Sequence, residues 1–263
     1  MSGPRIQAAL GKLRALREGD EAIAELIDCG QAAVGPLREF LFSREPCGLF
    51  QPRCQAVEAL AKLGAKAVLL EFLTAPRSFA DPVEQAGEDA VLSFVARALT
   101  RWPDDATFLL LLAVAKRKLL PGIVAALGEY RRMDALPVLA AALAEDFCRS
   151  AAETAFRKLG PAACSCLLSL AVRTVPLADV ELESSLRLRR SALNLFDELY
   201  PRQAVPQTVW ELVLDADIQV ALTACSICLA RDSGAGREKV LLRLAELWES
   251  GDWAVRMAVE ELY

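Results

Sequence analysis

The sequence predicts an all-α protein, an α-solenoid of stacked antiparallel helical hairpins with about seven to eight repeats. Three observations carry this. The first is a recurring helix face. In residues 55–73, QAVEALAKLGAKAVLLEFL, positions Ala56, Ala59, Leu60 and Leu63 stand at i, i+3, i+4 and i+7, on one side of a helix. The Leu60 position recurs as Leu26, Leu60, Leu99, Leu127, Phe156, Phe196, Cys225 and Leu262, at steps of 34, 39, 28, 29, 40, 29 and 37 residues. The other three recur with it: Ala22, Val95, Ile123, Ala152, Ala192, Ala221 and Ala258 match Ala56, for example. A lone hairpin cannot cover such a face, so each must bury it against the next. The second observation is a column of prolines, Pro36, Pro137 and Pro206, at the position of Leu70. Proline is tolerated in the first turn of a helix, so these residues mark where second helices start. The third is composition: 54 % hydrophobic but only 6 % aromatic, rich in the Ala and Leu that close helix packing needs.

Taken in order, residues 4–18 read as an amphipathic opening helix with Ile6, Leu10, Leu13 and Leu16 on one side, which caps the array over 1–18. The repeats then occupy 19–262, and the whole of 1–263 is expected to be one array. Asp20 is placed to cap a helix over 21–29, Gly30 to close it, and 31–42 to follow. The stretch 43–52 is broken by Pro46, Gly48 and Pro52 and carries apolar Leu49 and Phe50. The hairpin of 53–74 precedes a long interruption ending near Gly87. Next come 88–102 with 104–116, then 119–131 with 134–144, and 147–160 with 161–173. A second interruption, 174–180, contains Pro176. Helices over 181–200 and 204–214 lead to 218–230 with 237–249, and Asp252 opens a final helix, 253–262, that has no second helix after it.

The charge balance, 30 basic against 35 acidic residues, gives −5 and disfavours a nucleic-acid partner, whose affinity rests on phosphate neutralisation. The basic clusters 116–118, 131–132 and Arg187 with Arg189–Arg190 read as solvated helix ends. No apolar run approaches the roughly 18–20 residues that span a bilayer, and the first 21 residues hold no secretory core. A cytoplasmic protein with no membrane partner is expected.

Histidine is absent, which removes the commonest general base and zinc ligand and every His-containing triad. Neither a P-loop nor a GxGxxG is present, so no catalytic residue, cofactor or metal is assigned. The paired acids Asp104–Asp105 and Glu88–Asp89 read as helix-start charges. Eight cysteines include Cys164-x-Cys166 and Cys225-x-x-Cys228. Cys225 and Cys228 fall in the core columns, however, and are expected to act as small hydrophobes, leaving Cys47 as the reactive thiol. Trp102 is a core residue by the same rule, while Trp210, Trp248 and Trp253 cluster late in the chain.

The runs AVEALAKLGAKAVLLEFL, SAAETAFRKLGPAACSCLLSLA and DWAVRMAVEEL resemble HEAT repeats, in particular the short HEAT-like repeats of phycobilisome lyases. Asp252 with Arg256 keeps best the Asp and Arg pair usual between helices of such repeats. The resemblance implies a non-enzymatic scaffold or adaptor that holds a protein partner on a concave face lined by second helices. Alternatives are a lyase-chaperone subunit and a HEAT-type DNA glycosylase. The charges expected on the partner face are Lys66, Glu71, Glu145, Arg173 and Glu211. Trp253 and Met257 give the last helix an apolar side that a second copy or another chain would cover, as a homodimer or heterodimer.

Overall fold

The computed structural model describes residues 3–15, 18–43, 50–75, 78–177, 180–200, 204–231, 234 and 236–262. Leu16, Leu49 and Cys47 lie outside these, and with Cys47 the expected reactive thiol. The protein is all-α, with one two-residue antiparallel pair among the described residues, β1 (Pro176–Leu177) and β2 (Val180–Glu181), in which Pro176 faces Glu181. No helix among the described residues is long and apolar enough to cross a membrane. Two compact units divide the chain, Met1–Arg131 and Arg132–Tyr263.

The first unit holds α1 (Gly3–Arg14), α2 (Gly19–Asp28), α3 (Val34–Phe42), α4 (Gln51–Lys62), α5 (Lys66–Thr74), α6 (Pro82–Leu99), α7 (Asp105–Arg117) and α8 (Pro121–Glu129). The even-numbered helices pack in sequence, α2 on α4, α4 on α6 and α6 on α8, while α3, α5 and α7 each pack beside the neighbouring even helix. Helix α1 buries Ile6, Ala9, Leu10 and Leu13 and lies mainly on α2. It also pairs with a charge on α2: Lys12 Nζ donates to the Glu25 carboxylate at 2.6 Å. Between α6 and α8 the backbones nearly touch, since a Cβ on Gly122 would stand 2.2 Å from the Ser93 carbonyl oxygen. Only glycine fits there.

Three hairpin corners share one device. Gly30, Gly64 and Gly160 occupy the same repeat position and take φ of 61°, 74° and 67°, a region costly for side chains. Arg131 holds that position after α8 and takes φ 50° without being glycine.

Several starts differ from the sequence reading. Helix α2 begins at Gly19 after Glu18, which makes no side-chain cap, so Asp20 lies inside the first turn and acts there through its charge rather than as the cap. Helix α6 begins six residues before the expected 88. Asp81 accepts from the Val83 and Glu84 amides at 2.7 and 3.2 Å, and Pro82 takes the first helical position. Gly87 is therefore mid-helix, packed against Phe50, the residue before α4. Glu88 and Asp89 are helix-interior residues as a result, not start charges. Glu88 is 4 % exposed and pairs with Arg53 at 2.7 Å, and Asp89 pairs with Lys118. For Asp104 the expectation holds: its carboxylate accepts from the Thr107 amide at 3.0 Å, capping α7.

The second unit holds α9 (Leu136–Ala144), α10 (Asp146–Leu159), α11 (Cys164–Ala171), α12 (Glu183–Leu199), α13 (Gln207–Leu212), α14 (Ile218–Arg231), α15 (Gly236–Ser250) and α16 (Trp253–Glu260). The two helices expected to pair over 119–131 and 134–144 thus fall in different units. Helices α10, α12, α14 and α16 pack in sequence, with α11 on α12 and α13 on α14. The β1–β2 pair occupies the expected interruption at 174–180 and runs one residue past it, so α12 begins at Glu183 rather than at 181. Pro137 sits in the first turn of α9 and Pro206 immediately before α13, while Pro36 is third in α3 after a 3-10 turn.

Burial follows the columns. Leu26, Leu60, Leu99, Leu127, Phe156, Phe196 and Cys225 are buried, as are Ala22, Ala56, Val95, Ile123, Ala152, Ala192 and Ala221. In the column of Leu63, at the helix ends, Cys29, Leu63, Tyr130, Leu159 and Leu199 are half-buried, as is Trp102, which is thus not the core residue expected, and Cys228 is buried. The pattern breaks at α16, where the buried residues are Val255 and Val259. Ala258 and Leu262, the expected core positions, are half-buried. Asp252 opens this helix as expected, accepting from the Val255 amide at 3.0 Å, while Arg256 Nε donates to the Gly251 carbonyl at 3.1 Å.

Candidate functional site

Of the charged residues expected on a partner face, Lys66 and Glu71 are engaged within their own unit. Arg38 of α3 donates through Nε to the Glu71 carboxylate of α5 at 2.8 Å, and its second nitrogen completes a bidentate pair. This pairing holds the Glu71 carboxyl below the ordinary carboxylate range. Lys66, at the start of α5, pairs with Asp104, which caps α7. That bond, with help from the Thr107 amide, lowers the Asp104 carboxyl to about 2. Lys66 and Glu71 thus cross-link successive odd-numbered helices. Glu145 is exposed between α9 and α10, Arg173 is exposed just beyond α11, and Glu211 is exposed on α13. Trp253 and Met257 lie one turn apart on α16, 77 % and 40 % exposed. The helix therefore shows water an apolar pair, and buries a face one residue out of step with the expected one. Phe147, at 92 % exposure, is a further bare ring at the start of α10.

The structure gathers a different set of residues into a cavity. Helix α11 buries Leu167, Leu170 and Ala171 against the core. Its other side carries Ser165, Leu168, Ser169 and Val172, again at i, i+3, i+4 and i+7, and these line a groove of about 480 Å³. Phe196 and Tyr200 at the end of α12 also line it, as do Cys164 and, at the start of α13, Pro206 and Thr208. The two rings stack with centroids 4.6 Å apart. The Tyr200 hydroxyl donates to the Ala204 carbonyl at 3.4 Å. Behind them the Arg231 guanidinium lies 5.6 Å from the Tyr200 ring centre and donates to the Asp197 carboxylate at 2.7 Å. Among the described lining residues none is acidic or basic. Cys164, by burial, has its thiol pushed up, so it contributes a neutral surface too.

One buried cation links the end of α11 to the segment beyond α13. Arg189 of α12 is 2 % exposed, which corrects its reading as part of a solvated helix end. Its Nε donates to the Ala171 carbonyl at the end of α11 at 2.8 Å. Nη1 donates to Glu181 of β2 at 2.7 Å, and Nη2 pairs with Asp215 just beyond α13. Ser185 joins the same set, donating to Glu181 and accepting from the Val175 amide at 3.1 Å. Next to it, Arg190 Nε donates to Asp217 at 3.0 Å, and Asp217 accepts from the Val220 amide at the start of α14. Burial is the largest single influence and raises the Asp217 carboxyl, but these two bonds together with the charges of Arg190 and Arg189 outweigh it and the net shift is downward.

Sequence reasoning missed the groove because it followed the core face of each repeat. A signal was present: in CSCLLSLAV the apolar residues occupy both sides of the helix, more than one buried face requires. The network around Arg189 had no such signal, since Glu181 and Asp215 lie 8 and 26 residues away.

Cys225 and Cys228 are buried as their columns require, and burial pushes the Cys225 thiol up to about 11. Trp102 and Trp210 are half-buried; the Trp210 ring lies where a side chain on Gly236 would have to go. Among the described residues no group of three or more Cys, Asp or Glu side chains is placed to hold a metal ion. Fold and groove define an all-α protein of paired helices with a surface cleft whose described lining is uncharged. No protein-family model matches the chain, and no curated protein sequence matches it.

Proposed function

We propose that this protein is a HEAT-like α-solenoid that acts as a non-enzymatic scaffold or adaptor, holding a protein partner on the face lined by its second helices. The observation that carries the reading is the groove lined by α11 and α13. It is an apolar cleft on the second-helix side, within the roughly 300–1,000 Å³ that binding pockets occupy. Two further features support it. In each unit one set of helices packs in sequence while the other set packs beside it, which is the local rule of a repeat array. The burial of the repeated columns agrees with the same rule.

The test has two parts. Small-angle scattering of the full chain should give an elongated, curved particle, and a spherical envelope would remove the solenoid. Proteins that co-purify with the tagged chain from its native host should then be made recombinantly and titrated against it. A stoichiometric complex weakened at least roughly tenfold by Ser169→Glu, placed in the groove, supports the adaptor reading. A bilin carried by the complex would favour the lyase-chaperone instead.

A further inference from the structure

We draw no further inference here: the strongest candidate, the apolar surface patch that Trp253 and Met257 leave exposed on α16, carries none, because nothing in the structure shows what covers it.

Discussion

Replacing Arg189 by alanine is the sharpest test of the second unit's construction. The guanidinium is 2 % exposed and makes three polar contacts, to Ala171 O at 2.8 Å, Glu181 at 2.7 Å and Asp215. Hydrogen bonds to charged groups contribute about 1.5–3 kcal/mol each, so the three together give roughly 5–9 kcal/mol. Taking the cation out of water offsets several kcal/mol of this. Truncation removes the cation but leaves two partly buried carboxylates and a carbonyl behind, so the expected loss is about 3–5 kcal/mol. Arg189→Lys keeps the charge but not the three-way fork and should fall between alanine and wild type. Trp210, Trp248 and Trp253 all lie beyond residue 131, so a Trp102→Phe background makes intrinsic fluorescence a reporter of that unit in a urea titration. A loss below about 1 kcal/mol, the size of an exposed ion pair, would refute the buried network.

Core packing gives a paired expectation: Phe156→Ala should cost about 3–5 kcal/mol through the cavity left, and Ala126→Leu about 1–3 kcal/mol through overpacking, both measured by denaturant unfolding. The Asp104 carboxyl is depressed to about 2 by Lys66 and the Thr107 amide. Its stabilising effect is therefore complete above the ordinary carboxylate value near 4 and is lost as pH falls toward 2. Asp104→Asn should flatten the pH dependence of unfolding in that window, and an unchanged slope would show that the pair is not made. Cys225 and Cys228, both buried, should react with a thiol reagent only on unfolding, and rapid native-state labelling followed by mass spectrometry would contradict their placement.

The particular residues show what was legible in advance. Local spacing determines which side of a helix is apolar, so the columns of Leu60 and Ala56 could be read directly and their burial follows. Corner glycines and first-turn prolines could be read for the same reason, because backbone dihedral limits act within a few residues. Where local signals compete, a local pattern no longer suffices. Asp81–Pro82 started α6 ahead of Gly87, and the valines of α16 took the core from Ala258 and Leu262.

Only the tertiary structure could decide which charges pair and which apolar side chains stay open. Lys66 and Glu71 look free in sequence, yet they bond Asp104 and Arg38, 38 and 33 residues away. Arg189 reads as a surface charge, and three acceptors from separate segments make it a core residue. The physical reason is the same in each case. Periodicity records how a residue faces its own helix, whereas ion pairing and clefts depend on where distant segments arrive, and no local pattern encodes that arrival.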